Sequence, residues 1–105
     1  VELPNGHLAL TDDLFVGGGL FIVAPQSSHV RFGAPAGRLA LKIGYENCPD
    51  VMLWMKPGAE FLCIEPWHGR PDPLGFSGDF RGKPGLASIA PGQSVVVAMT
   101  VTVDA

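Results

Sequence analysis

The chain has 105 residues, enough for one domain with a modest hydrophobic core. Its 47% hydrophobic and 16% charged residues exclude an intrinsically disordered chain, which combines low hydrophobicity with high charge. The net charge of -3 offers no basic surface for nucleic acid or an anionic membrane, and no apolar run approaches the ~20 residues of a membrane helix.

Short apolar stretches alternate with turn-forming residues along the chain, as in proteins built from many strands. The 14 glycines and 10 prolines fall mainly between these stretches, and apolar residues at helical spacing are missing. We therefore predict little helix. The predicted strands, in chain order, cover residues 19–24, 29–32, 38–45, 51–55, 61–65 and 95–103.

The last of these segments has the clearest strand pattern. Val95, Val97, Met99, Val101 and Val103 recur with the period of two expected of a strand that has one apolar face. Strands at this spacing predict an all-β fold, an antiparallel β-sandwich or part of one. Because a partial sandwich leaves strand edges and a sheet face uncovered, we also expect self-association or pairing with the N-terminal part of the same protein.

The segment from 66 to 84 interrupts the strand rhythm. A loop of this length inside a compact domain is uncommon and is often functional. Several of its side chains are aromatic or can carry a charge: Trp67, His68, Arg70, Asp72, Asp79, Arg81 and Lys83.

Glu65 is the strongest candidate for chemistry. It ends a predicted apolar strand and is followed at once by Pro66 and Trp67, so its carboxylate should emerge at the mouth of a sheet, where it can act as a general base. Trp67 offers a flat apolar face of the kind on which sugar rings stack. His68 and Asp72 add hydrogen-bonding groups in the same loop.

Each of these residues also has a purely structural interpretation. Glu65 could accept backbone N–H bonds, and Trp67 could be an aromatic at the edge of the core. His68 could be a solvated loop residue and Asp72, between two prolines, a turn residue. Trp54 alternates with apolar neighbours and is predicted to lie in the core. Two basic side chains are expected to be solvated: Arg70 and Lys83.

The two cysteines, Cys48 and Cys63, form no C-x-x-C unit and no zinc signature, and the sequence leaves open whether they form one disulfide with each other. Cys63 lies in an apolar run and is predicted to be a small buried thiol. This cysteine usage predicts a reducing, cytoplasmic compartment.

Several short strings match one known family in order and spacing. They are Cys63-Ile64-Glu65-Pro66-Trp67-His68-Gly69, Asp72, Lys83-Pro84-Gly85 and Ile89-Ala90-Pro91-Gly92-Gln93, with Leu10-Thr11-Asp12-Asp13-Leu14-Phe15 and Leu53-Trp54-Met55-Lys56-Pro57-Gly58-Ala59 upstream. On these strings the chain resembles the C-terminal part of the aldose 1-epimerase family, in its bacterial galactose-mutarotase-like branch. The resemblance covers most of the chain. Its most specific part is Glu-Pro-Trp combined with the downstream Lys-Pro-Gly and Pro-Gly-Gln.

The resemblance implies that residues 1–105 are a single domain or the C-terminal segment of a larger β-sandwich domain, a galactose-mutarotase-like supersandwich. It implies interconversion of the α and β anomers of a hexose, with no cofactor and no metal. Glu65 matches the family's general base, whereas the family's acid histidine is expected outside this chain. Trp67, His68 and Asp72 are then expected to bind the monosaccharide. The segment 16–20 departs from the family because it lacks a polar residue that often contacts sugar.

Three functions stay open from the sequence. The first is a mutarotase-type isomerase with Glu65 as its base, acting on a monosaccharide and on neither nucleic acid nor membrane. The second is a non-catalytic carbohydrate-binding β-sandwich module that uses Trp67 as a platform. The third is a structural β-domain in which Glu65 is only a hydrogen-bonded carboxylate.

Overall fold

The computed structural model describes residues 3–34, 37 and 39–104. These residues form six strands and three short 3-10 helices. The strands are β1 (Leu20–Ile22), β2 (His29–Gly33), β3 (Ala40–Glu46), β4 (Asp50–Trp54), β5 (Cys63–Trp67) and β6 (Ala98–Asp104). The 3-10 helices span Pro4–Gly6, Asp12–Phe15 and Phe80–Gly82. The prediction of a mostly β chain with little helix is confirmed.

The strands are arranged in two antiparallel three-stranded sheets, with the orders β1-β4-β5 and β2-β3-β6. β3 and β4 follow each other in the chain but belong to different sheets, so the short connection at residues 47–49 must redirect the chain sharply. Asn47 lies at its start with a φ of 56°. Asparagine tolerates this left-handed conformation better than most residues, which suits it to such a turn.

The C-terminal strand is shorter than its sequence pattern. β6 begins at Ala98, whereas the alternation that predicted it begins at Val95. It pairs along its whole length with β3, from Ala98 opposite Glu46 to Asp104 opposite Ala40. Because β3 ends at Glu46, residues 95–97 have no strand beside them to continue the ladder. Arg38, the first residue of the strand predicted at 38–45, lies outside the described residues.

A small apolar cluster joins residues of both sheets. Its fully buried members are Phe15, from a 3-10 helix, and Val51 and Leu53, from β4. Partly buried side chains from the β1-β4-β5 sheet (Leu20, Ile22 and Ile64), from the β2-β3-β6 sheet (Val30 and Tyr45) and from the intervening segments (Leu8, Leu14, Met55 and Leu62) pack against it. Alternation along β4 therefore determines which face of its sheet is turned away from the core.

In the part of the chain that the structure describes, no helix combines the length and apolar character needed to cross a membrane. Cys48 and Cys63 are both free thiols of intermediate exposure, so Cys63 is less deeply buried than predicted.

Candidate functional site

The β1-β4-β5 sheet has one face on the apolar cluster and one face turned away from it, called here the outer face. Residues directly opposite each other on neighbouring strands share a face. Phe21 of β1 lies opposite Met52, and Met52 lies opposite Glu65. The side chains of the outer face are Phe21, Asp50, Met52, Trp54, Cys63, Glu65 and Trp67. Glu65 therefore projects on the side away from the core.

Glu65 lies within β5 rather than at its end, which corrects the prediction from the sequence. The strand continues through Pro66 to Trp67, where the prediction stopped at Glu65. Proline is tolerated because β5 is an edge strand of its sheet, so the missing N–H can face the free edge without breaking a ladder bond. As a consequence, Glu65 and Trp67 occupy alternate positions of one regular strand and point to the same side.

The Glu65 carboxylate has one oxygen engaged and one free. The indole Nε1 of Trp67 donates a hydrogen bond to Oε2 of Glu65 at 3.0 Å. Oε1 accepts no hydrogen bond from the described residues, and no side-chain oxygen of theirs is both buried and unpartnered. Oε1 is thus accessible to solvent. The indole holds the carboxylate in one orientation while leaving an oxygen to accept a proton.

Aromatic side chains lie on both sides of Glu65 along the sheet. Trp67 packs edge-to-face against Phe21, with ring centroids 5.5 Å apart and planes at 68°. Trp54 packs against Phe61 with centroids 5.7 Å apart. The prediction that Trp54 lies in the core was wrong, because Trp54 is on the outer face and 38% exposed. The alternation of β4 buries Leu53 instead.

His68 follows the end of β5 and is exposed. Its Nδ1 lies 2.8 Å from the carbonyl oxygen of Asn47. Since a carbonyl can only accept, Nδ1 must donate and therefore carries the proton. In the neutral ring Nε2 is then an acceptor, and it makes no hydrogen bond to the residues that the structure describes. The side chain is oriented with one nitrogen available.

Asp72 is exposed, and its Oδ1 lies 2.8 Å from Nζ of Lys83. Lys83 was predicted to be a solvated charge, but only 18% of its side chain is exposed. The ion pair joins the beginning and the end of the long segment after β5. Asp72 therefore has a structural partner in addition to its predicted contact with sugar.

The sequence did not reveal the importance of Asp50, which begins β4 and is fully buried. Arg70, predicted to be solvated, donates from Nε to Oδ2 at 2.7 Å and from Nη2 to Oδ1 at 3.1 Å. The backbone N–H of Ala24 also donates to Oδ1, at 3.0 Å. These three contacts tie β4, the end of β1 and the segment after β5 together. In the sequence, the only indication of this ion pair is an acidic residue at the start of an apolar strand. That pattern does not identify Arg70 as the partner.

The Arg70 hydrogen bonds hold the pKa of the Asp50 carboxyl below its usual value. Burial opposes this shift by raising the pKa, while the Ala24 N–H and the positive charges of Arg70 and His68 reinforce the lowering. Asp50 is therefore a fixed anion next to Trp67, its cross-strand neighbour.

The segment after β5 packs back onto Arg70 at Gly85. A Cβ added to Gly85 would lie 3.0 Å from both Cγ and Cδ of Arg70, and Gly85 has a φ of 83°. Both the close approach and the left-handed backbone favour glycine at this position. The Lys83-Pro84-Gly85 string is thus in contact with the same ion pair that supports the end of β5.

Two sizeable clefts in the described residues lie elsewhere and contain neither Glu65 nor Trp67. A cleft of about 440 Å³ lies on the β2-β3-β6 sheet, and its lining includes His29, Lys42 and Glu46. A more apolar cleft of about 780 Å³ includes Leu8, Val30, Leu53 and Leu62 in its lining. Among the described residues, no group of three or more His, Cys, Asp or Glu side chains is arranged to hold a metal ion.

The predicted site residues are therefore only partly brought together. Glu65 and Trp67 are in direct contact on the outer face, His68 bonds to the β3–β4 connection, and Asp72 bonds to Lys83. Comparisons with protein-family models, curated proteins and solved structures gave no match to this chain.

Proposed function

We propose that the chain is part of an aldose 1-epimerase-like isomerase that interconverts the α and β anomers of a hexose. One observation carries the proposal: the carboxylate of Glu65 is held by the Trp67 indole on the outer face, with Oε1 free to accept a proton. The motif resemblance adds the reaction type. On the same resemblance, the two sheets are proposed to be the C-terminal part of a larger β-sandwich. The cysteine usage supports a cytoplasmic location, a compartment in which the free Cys48 and Cys63 would stay reduced.

In the proposed reaction Oε1 of Glu65 removes the proton from the anomeric hydroxyl while an acid protonates the ring oxygen. The C1–O5 bond breaks and leaves an open-chain aldehyde. Rotation about C1–C2 presents the other face of the carbonyl, and the reverse proton transfers close the ring. The acid is expected to be a histidine outside residues 1–105. Trp67, His68 and Asp72 are assigned to sugar binding.

Sugar binding by the chain is the first test. Trp54→Phe leaves Trp67 as the reporter, since the chain has 2 tryptophans. We expect glucose or galactose to change its fluorescence in a saturable way, because a ring stacked near the indole alters its surroundings. Sorbitol, an open-chain polyol without a ring face, is the matched control and should give no saturable change. An equal response to sorbitol, or no response to either sugar, would contradict the assignment of Trp67.

Anomer exchange is the second test, followed as the decay of optical rotation of fresh α-glucose or α-galactose. We expect the 105-residue chain alone to be nearly inactive. The absence of one of two proton-transfer groups lowers the rate by about 10²–10⁴, and missing sugar contacts lower it further through lost positioning. Adding the N-terminal part of the same gene product should restore exchange. Rapid exchange by the chain alone would instead make His68 the leading acid.

A non-catalytic carbohydrate-binding module is the second candidate. It is favoured by two aromatic pairs, Phe21 with Trp67 on the outer face and Trp54 of the same face with Phe61, because aromatic rings offer apolar surface for sugar rings. Saturable sugar binding without any acceleration of anomer exchange, even with the N-terminal part added, would favour this function over the isomerase.

A further inference from the structure

The chain exposes far more surface than a compact protein of its mass. Its accessible surface is 7803 Å², whereas a compact monomer of 11.1 kDa exposes about 5,700 Å². Its radius of gyration is 15.9 Å, against about 13 Å for a compact chain of this length. The excess of roughly 2,100 Å² is larger than the ~800 Å² that each partner contributes to a standard interface.

Much of the apolar part of this surface belongs to β6. Met99, Val101 and Val103 are 57%, 53% and 61% exposed, although they share a sheet face with the buried Ile43 of β3. Beyond β6 no described strand continues the sheet. The strand therefore presents both an open hydrogen-bonding edge and an uncovered apolar face.

β6 is also the least protected of the four edge strands that the structure describes. β1 has only three residues, β5 contains Pro66, and the five-residue β2 carries the exposed Arg31. β6 has seven residues, contains no lysine, arginine or proline, and has its single charge, Asp104, at the end. Short length, proline and positive charge are the features that normally prevent edge-to-edge pairing, and β6 has none of them.

We propose that β6 pairs antiparallel with β6 of a second copy of this chain, across a two-fold axis at Val101. The central five residues of β6, Met99 to Val103, are self-complementary in this register. Val101 lies opposite Val101 of the partner subunit, Thr100 opposite Thr102, and Met99 opposite Val103. Thr–Thr and apolar–apolar cross-strand pairs of this kind stabilise a sheet. The match favours a second copy over an unrelated strand. It gives a continuous six-stranded sheet in the order β2-β3-β6-β6-β3-β2, and the two-fold axis limits the assembly to a dimer.

The association is independent of sugar chemistry and is tested by sedimentation velocity. We expect the wild-type chain to be a dimer. V101K and V101E should each weaken association at least about 100-fold, because like charges then lie directly opposite each other at the centre of the interface. An equimolar mixture of V101K and V101E should form the heterodimer, since the opposite charges meet in the same register. V16K, at an exposed valine outside β6, is the matched control and should remain a dimer.

Cross-linking provides a conservative second variant that preserves the fold. In a C48S/C63S background, oxidised V101C should form a covalent dimer. Directly opposed Cβ atoms lie about 4.5–5.5 Å apart, and a small approach of the two strands brings them to the ~3.5–4.5 Å of a disulfide. V16C in the same background should stay uncross-linked. A monomeric wild type at millimolar concentration would overturn the proposal, as would an open-ended polymer. Failure of V101C to cross-link, or of the charge-swapped pair to associate, would overturn the Val101 register.

Discussion

Removing the arginine partner of the fully buried Asp50 carboxylate should lower the free energy of unfolding by about 3–5 kcal/mol. The change that tests this is Arg70→Met, because methionine keeps part of the apolar stem but has no hydrogen-bond donor. In the wild-type protein Arg70 donates to both oxygens of Asp50. After the change only the Ala24 N–H would remain, which cannot replace the water that the buried carboxylate has lost.

The measurement is urea unfolding at pH 7, followed by circular dichroism. We expect a large decrease in the midpoint for Arg70→Met. Arg81→Met is the matched control, because Arg81 also pairs with an aspartate, Asp79, but both side chains are exposed to solvent. Exposed ion pairs contribute little to stability, so its midpoint should be close to that of the wild type. A midpoint of Arg70→Met that is as close to the wild type as that of Arg81→Met would show that stability does not depend on the pairing of Asp50 with Arg70.

The pH dependence of the same pair has a definite sign. The pKa of Asp50 is lowered in the folded chain, so its contribution to stability is present above the ordinary carboxyl pKa of about 3.9 and is lost as the pH falls through the lowered value. In Arg70→Met the largest lowering cause is lost, and burial outweighs the remaining Ala24 hydrogen bond and raises the pKa of Asp50. The variant therefore regains stability as the pH falls through that raised value. The difference between wild type and variant should therefore be largest near neutral pH and should shrink in acid.

In an active preparation, Glu65→Gln should slow anomer exchange by about 10²–10⁴-fold while leaving sugar binding and the fold nearly unchanged. Glutamine has almost the same shape, and its amide oxygen can still accept the Trp67 indole hydrogen bond. It cannot take the proton from the anomeric hydroxyl. The loss should therefore appear in kcat, measured by polarimetry, rather than in KM.

Glu60→Gln is the matched control, because Glu60 is an exposed glutamate just before β5. It makes the same chemical change outside the candidate site, and exchange should continue at the wild-type rate. Full activity in Glu65→Gln would remove Glu65 from the mechanism. A parallel loss in both variants would point to a general effect of charge rather than to a base at Glu65.

Local patterns predicted the strands well but their ends less well. The alternation around Ile43 and the valines near the C-terminus located β3 and β6, because a period of two follows from the geometry of a half-buried strand. The bounds of β5 and β6 depended on their neighbours. β6 is strand only where β3 lies beside it, and β5 includes Pro66 because its free edge requires no donor.

In the candidate site, too, some features follow from local sequence and others depend on neighbouring segments. The order Glu65, Pro66, Trp67 is enough to predict a carboxylate beside an aromatic ring, since residues two apart in a strand share a face. The sequence could not show that Trp54 lies on the outer face and not in the core, because apolar residues occur on both sides of β4. Which side is covered depends on the position of the other sheet.

The sequence by itself determined that the chain is mostly β, that its strands lie near the predicted segments, and that Glu65 and Trp67 are neighbours. These features depend on local alternation and turn-forming residues. Only the tertiary structure decided that Asp50 is buried with Arg70, twenty residues away, and that β6 is an open edge. The charge of a buried carboxylate and the exposure of a strand depend on which distant segments pack beside them. The residues next to Asp50 and next to the valines of β6 in the sequence do not indicate which segments those are.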